Sequence, residues 1–161
     1  LVSASGNIGS RWAVHATSSG KALLATRPEM WEQLPETLRR FTANTIVSRE
    51  ALKQQTDSVS TLGYATASEE LEEGYSAVAA PLFNPMGEVE GALSLGGPTA
   101  RMAPRGLEYF GQLVVQAATQ CFRTKLKMAK RGVPGTLNCG VKVGARIIPR
   151  RARVLSLSSA S

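Results

Sequence analysis

Apolar residues recur along this chain with two different periods, and the change from one to the other divides it into elements. Between Thr17 and Ala25, the apolar run Ala22-Leu23-Leu24 follows Thr17 and Ser18, whose hydroxyls can accept from the free N–H groups of a helix start, so a short helix is expected. Thr26 with Glu29 has the spacing of a capping box, Pro28 suits a first turn, and Met30, Trp31 and Leu34 supply a buried side until Pro35. A second short helix is therefore expected there. Thr45 to Val47 favours β structure, and Ser48 then caps a longer helix carrying Leu52, Gln55, Val59 and Leu62 at helical spacing, stopped by Gly63. Tyr64 to Thr66 reads as a short strand, followed by an acidic cluster, Glu69, Glu70, Glu72 and Glu73, expected to form a solvated surface.

The period then becomes two. Tyr75 to Phe83 and Glu88 to Leu95 flank the turn-rich Asn84-Pro85-Met86-Gly87, the pattern of an antiparallel hairpin. Alternation puts Val89, Leu93 and Leu95 on one face and Ala92, Ser94 and Gly96 on the other, while Ala77, Ala79 and Pro81 are compact residues sharing a face of the first strand. A face of small side chains either leaves a cavity or admits a closely apposed helix. After the hairpin the helical period returns: Pro104 opens the longest helix, with Leu107, Phe110, Val114, Ala117, Ala118 and Cys121 on its apolar stripe to about Lys127.

Charge changes the picture at the C-terminal end. The formal charge is +7, yet residues 1–122 hold 9 Lys and Arg against 12 Asp and Glu, a balance of −3, whereas residues 123–161 hold 10 Lys and Arg and no acid. A nucleic-acid partner for the folded body is thus not implied by the global charge. Residues 130–161 are rich in Gly, Pro, Arg and Ser without periodicity, and are expected to be disordered or to come from a non-native reading frame. One domain over residues 1–129 is expected. Cys121 and Cys139 form no CxxC pair, and neither a secretory signal nor an apolar run of about 18 residues is present, which points to a cytoplasmic protein with no membrane partner. The opening on Leu1, in a strand-like stretch, suggests a piece of something longer.

Catalytic chemistry finds little purchase. The sole histidine, His15, would have to serve with Ser10 or Ser18 in any hydrolytic arrangement, and there is no GxSxG elbow. One His and two separated Cys fall short of a zinc site, and Gly6, Gly9 and Gly20 make no phosphate loop, so neither a metal nor a cofactor is expected. No helix-turn-helix with a basic recognition helix is present in the body. Thr17-Ser18-Ser19-Gly20 does place hydroxyls and N–H groups at a helix start, which favours anions such as carboxylates, although ordinary capping uses the same residues.

Gly9-Ser10-Arg11, His15-Ala16-Thr17 and Gly20-Lys21-Ala22-Leu23-Leu24-Ala25 resemble the loop-to-helix signature of the IclR family of bacterial transcriptional regulators. Gly63-Tyr64-Ala65, Glu69-Glu70 with Gly74, Ala79-Ala80-Pro81, Gly87, and Ala92-Leu93-Ser94 to Gly97-Pro98 with Arg101 resemble the rest of its effector-binding domain, in order, over about residues 1–127. The resemblance implies an α+β, GAF-like domain with an antiparallel central sheet flanked by helices, assembled as dimers or tetramers. It also implies a winged helix-turn-helix preceding this stretch, through which DNA would be bound.

The family's pocket positions, carried onto this chain, are Ser18, Ser19 and Gly20 at the helix start, Ala67 or Ser68 after the short strand, and Ala77, Ser94 and Gly96 in the hairpin. The implied ligand is a small organic acid or aromatic carboxylate. Some members carry Asp at the position of Ala67 and Cys at that of Ala77; without those polar groups a larger, partly apolar carboxylate is expected here in preference to a two-carbon acid. The readings left open beside this one are a ligand-free oligomerisation module and a small hydrolase using His15.

Overall fold

The computed structural model describes residues 12–130 and 146–147. A single 3-10 turn, Val14–Ala16, leads into helix α1 (Ser18–Leu24), whose first turn is capped by Thr17: its hydroxyl accepts from Gly20 N at 3.2 Å and donates to Ala13 O at 3.1 Å. Glycine at position 20 is a packing requirement, since a β-carbon there would stand 2.1 Å from the carbonyl oxygen of Val14. Helix α2 (Glu29–Glu32) follows, but Thr26 does not cap it as the spacing suggested. The Thr26 hydroxyl turns back to the carbonyls of Ala22 and Leu23, closing α1, because an i−4 carbonyl is within its reach. The indole N–H of Trp31 donates to Leu24 O at 3.0 Å, so the end of α1 is tied to α2.

Ser48 caps α3 (Arg49–Asp57) by accepting from Ala51 N, as its position predicts. The expected longer helix breaks at Ser58, and α4 (Val59–Leu62) ends at Gly63 with φ 79°, a left-handed stop. The break rotates the stripe: Leu52 and Val59 are buried whereas Leu62 is 50% exposed. The Thr45–Val47 strand does not form. The hydroxyl of Thr45 instead accepts from the backbone N–H groups of Phe41 and Thr42 and donates to Glu70 O at 2.6 Å, folding this stretch into a loop.

Strands β1 (Ala65–Ser68), β2 (Tyr75–Phe83) and β3 (Val89–Pro98) form an antiparallel sheet in sequence order, and two residues of the basic tail, β4 (Arg146–Ile147), pair with Ser94 and Leu93 at its edge. The remainder of 131–161, Cys139 included, lies outside the described residues. The hairpin faces follow the alternation with one exception. A register slip between Leu82 and Phe83 sets Val89 opposite Phe83, out of step with Leu93 and Leu95, and Glu90 reaches Lys125 of the long helix.

A four-residue helix, α5 (Thr99–Met102), precedes α6 (Gly106–Lys130), so Pro104 lies in the turn before the long helix and not at its start. Helix α6 covers the bulky face of the sheet: Val78, Ala80, Leu82 and Leu93 meet Val114, Ala118 and Cys121. The small-residue face receives α1, where Ala22 packs against Ala65, Ala79 and Ala92 with Val59 of α4 beside them. A third cluster, Leu24, Leu38 and Leu52, joins α1 to α3 under α2. Gly111 lets α6 close on the sheet, since a β-carbon there would fall 2.3 Å from Cε2 of the buried Tyr64 ring.

One charged group is taken entirely from water. Lys21 is 0% exposed, and its ammonium donates to both carboxylate oxygens of Glu70 at 2.7 Å and to Gln55 Oε1 at 2.5 Å. The acidic cluster is therefore not wholly a solvated surface: Glu72 and Glu73 are exposed, but Glu70 is 4% exposed. Burial pushes the Lys21 ammonium below its ordinary value of 10.5, while the charge and hydrogen bonding of Glu70 oppose the shift. Desolvation thus outweighs attraction, the common balance for a buried ion pair.

Replacing Gly111 with Ala is expected to destabilise by about 1–3 kcal/mol, because ring and helix must separate, even though Ala favours helix by about 1 kcal/mol. A thermal melt checks the sign. Removing only one partner of the buried pair, in Lys21→Met, is expected to cost about 3–5 kcal/mol in urea unfolding, since Glu70 is left charged and uncompensated. The proton linkage of Lys21 has a definite direction. The unfolded chain binds more protons than the folded one between the lowered value and 10.5, so this contribution is full above 10.5 and is lost as pH falls through the lowered value. Unfolding of the wild type and Lys21→Met at a series of alkaline pH values should show the wild type gaining on the variant as pH rises.

Candidate functional site

The expected site residues converge on the small-residue face of the sheet, with one exception. Antiparallel pairing sets Ala67 opposite Ala77 and Ala77 opposite Gly96, so these three form one row across β1, β2 and β3. Two residues along, Ala65, Ala79 and Ser94 form the next row, which α1 covers. Ser18, 2% exposed at the start of α1, sits over Ser94 with their hydroxyl oxygens 3.4 Å apart, and the Ser94 hydroxyl also donates to Val78 O at 3.2 Å. Ser19 and Gly20 belong to the same first turn. Ser68 is the exception: it pairs with Ser76, whose side chain points away toward Thr99, and it is exposed. Of these two alternatives, both within β1, the strand puts Ala67 on the shared face.

The close-helix explanation for small residues holds for the Ala79 and Ala92 positions, where Ala22 fills the space. It does not extend to the outer row. There Ala77 and Gly96 are half-buried, and the Tyr75 ring lies across Gly96, where a β-carbon would come within 2.6 Å of the phenol oxygen and 3.0 Å of the Ala77 β-carbon. Tyr75 is a wall of this site that sequence reasoning missed. The signal was available, because Tyr75 shares the strand parity of Ala77 and Ala79, and a glycine diagonal to it, at Gly96 opposite Ala77, leaves room for a ring.

Electrostatically the site has one anion-friendly edge. The Ser18 and Ser19 N–H groups occupy the first turn, where no intrahelical acceptor exists, beside two hydroxyls, and no acidic residue lies in that turn. The Lys21–Glu70 pair lies at the β1 end: Glu70 Oε1 also accepts from Ser68 N at 3.3 Å, next to Ala67. Lys21, Glu70 and Gln55 were not among the residues expected near the site.

His15 has a different occupation. Its Nε2–H donates to Arg39 O at 2.8 Å and its ring leans on Phe41, so this nitrogen is held by main chain; Ser10 lies outside the described residues. Two surface concavities are open elsewhere, one of about 640 Å³ bordered by Trp12, Arg39, Phe41 and Glu72, and one of about 470 Å³ bordered by Val59, Phe83, Val115 and Phe122. None of the eight expected residues lines either, and the charged groups of the larger one, Arg39 and Glu72, are exposed to solvent. Among the described residues, no helix is long and apolar enough to cross a membrane.

Comparison with known proteins agrees with this frame. The family model for the bacterial transcriptional regulator IclR C-terminal region matches residues 1–123. The repressor AllR of Klebsiella pneumoniae is 35% identical over 114 residues, covering 69% of this chain and 42% of that protein. The regulator BhcR of Paracoccus denitrificans is 38% identical over 115 residues, covering 70% and 41%. The chain thus spans about two fifths of the length of these curated relatives. Among solved structures, the C-terminal domain of the Escherichia coli regulator KdgR superposes with a TM-score of 0.61 at 33% identity, covering 70% of this chain and 71% of that one. The inducer-binding domain of PobR from Acinetobacter, a double mutant in complex with 3-hydroxybenzoic acid, superposes with a TM-score of 0.58 at 28% identity, covering 79% and 70%. The α+β, GAF-like fold and the ordered motifs on its sheet and first helix lead to one assignment: this chain belongs to the IclR family of bacterial transcriptional regulators and carries their C-terminal, effector-binding part.

Proposed function

We propose that this chain is the sensor of a cytoplasmic transcriptional regulator, and that it takes a small organic acid, preferably an aromatic or otherwise partly apolar carboxylate, against the small-residue face of its sheet. The observation that carries the reading is the Ala67–Ala77–Gly96 row, half-covered by Tyr75 and bordered by the start of α1. The N–H groups and hydroxyls of Ser18 and Ser19 suit the carboxylate end of such a ligand. Alanines and the face of a phenol ring suit its apolar end, which a two-carbon acid lacks. The 3-hydroxybenzoic acid held by the PobR domain supports the same ligand class.

The mechanism is linkage. A ligand that binds one arrangement of a dimer or tetramer better than another shifts the equilibrium by its difference in affinity, and DNA-binding parts attached to the assembly would be repositioned with it. No residue is assigned a catalytic role, no cofactor is required, and DNA would be contacted only through a winged helix-turn-helix outside this sequence.

The test is a thermal-shift series of the 161-residue chain with 3-hydroxybenzoate, 4-hydroxybenzoate, glyoxylate and pyruvate. At a concentration about 100 times its dissociation constant, a ligand specific for the folded state stabilises it by about 2.7 kcal/mol, roughly 5–10 °C for a domain of this size. The aromatic acids are expected to give the larger saturable shift, and Ala77→Leu to abolish it while leaving a cooperative melt. Tighter binding of glyoxylate or pyruvate would overturn the ligand class, and a cooperative melt that no acid moves would favour an oligomerisation module.

A further inference from the structure

Lys21 is a fully buried charge that the sensor reading does not use. An ammonium has three N–H bonds to place, and here all three find oxygen acceptors, two on Glu70 and one on Gln55. The partners come from separate parts of the fold: Lys21 from α1, Gln55 from α3, and Glu70 from the turn between β1 and β2.

That turn is itself fixed from outside. The hydroxyls of Thr42 and Thr45 donate to Glu69 O and Glu70 O, each at 2.6 Å. Glu69 adopts φ 55°, a left-handed conformation seldom taken by a residue with a long side chain, and this geometry aims the next residue inward. On the helix, Lys21 follows Ser18 by three residues, so one turn carries both the buried ammonium and the contact to Ser94.

We propose that Lys21, held by Glu70 and Gln55, is the positioning residue of the effector site: it fixes the register of the first turn of α1 over the Ala67–Ala77–Gly96 floor, and through that register sets how tightly a carboxylate is held. The proposal rests on the sensor reading above. Apolar packing alone would bury the same surface, but it is non-directional, and the helix could slide along a floor of alanines at little cost. Three directed hydrogen bonds to two separate elements remove that freedom.

The test separates positioning from stability. In the double variant Lys21→Met/Glu70→Leu the buried charges are replaced by apolar side chains of similar size, and the melting temperature is expected to stay near that of the wild type. Amide hydrogen exchange, read by NMR on the full 161-residue chain, is expected to be at least tenfold faster at Gly20, Lys21 and Ala22 and unchanged at Val114 and Ala118 of α6. The dissociation constant for 3-hydroxybenzoate is expected to rise at least tenfold.

A double variant with wild-type melting, wild-type exchange in α1 and wild-type affinity would overturn the proposal, leaving the pair a structural feature only. Unchanged affinity alongside faster exchange would overturn it equally. Should the double variant fail to fold, Gln55→Leu removes one leg and keeps the ion pair, and exchange at Gly20 to Ala22 is expected to rise about threefold; no rise counts against positioning. Absence of binding by the wild type to any acid of the series counts against the sensor reading, and the exchange comparison, which needs no ligand, still decides whether Lys21 holds the helix.

Discussion

An ammonium buried without water dictates how this domain is assembled. Lys21 can occupy its place only if Glu70 and Gln55 are delivered to it, and delivering Glu70 requires the left-handed turn at Glu69 and the two threonine hydroxyls that hold its carbonyls. The loop from Phe41 to Thr45, the last turn of α3, the turn after β1 and the first helix are therefore mutually conditional. The apolar clusters supply the driving force for collapse, but a floor of alanines specifies position poorly. The polar network specifies it well.

The sheet divides labour between its faces. Val78, Ala80, Leu82 and Leu93 face the long helix α6 and make a dense core in which even Gly111 is needed for close approach. On the opposite face the alanines, Ser94 and Gly96 are covered in part by α1 and in part by the Tyr75 ring. The family membership of the chain supports the proposal that this second side takes the effector.

Much of this was legible in the sequence, and what was missed has a common physical origin. The hairpin was readable because side-chain alternation and the Asn84–Gly87 turn are local signals, and the caps at Thr17 and Ser48 were readable because a cap acts within three residues. Pairing across three strands then brought Ala67, Ala77 and Gly96 into one row. The failures concern polar side chains whose partners are distant in sequence. Gln55 looked like a flaw in an apolar stripe and is an acceptor for Lys21; Glu70 looked like one member of a solvated run and is its counter-ion. Thr45 and Thr26 carried propensities for strand and cap that their hydroxyls spent on other backbone groups. Periodicity records which side chains avoid water, and it is silent about which polar groups will find each other inside. The displaced parity of Val89 is a further case, since a bulge leaves no mark in composition.

The glycine at position 20 has a consequence for how such a sensor can change. Its neighbours are the main-chain oxygen and Cα of Val14, at 2.1 and 2.6 Å from where a β-carbon would stand, and main chain does not yield as a side-chain tip does. That wall is thus written in backbone and cannot be retailored residue by residue. Ala67 and Ala77, by contrast, are side chains of the outer row of the sheet, where added volume or a new polar group changes the surface without relocating the helix. In the proposed sensor such a frame would separate a fixed grip on the acid from an editable mould for the rest of the molecule, so that a lineage built on it could exchange one metabolite for another while its architecture stays intact.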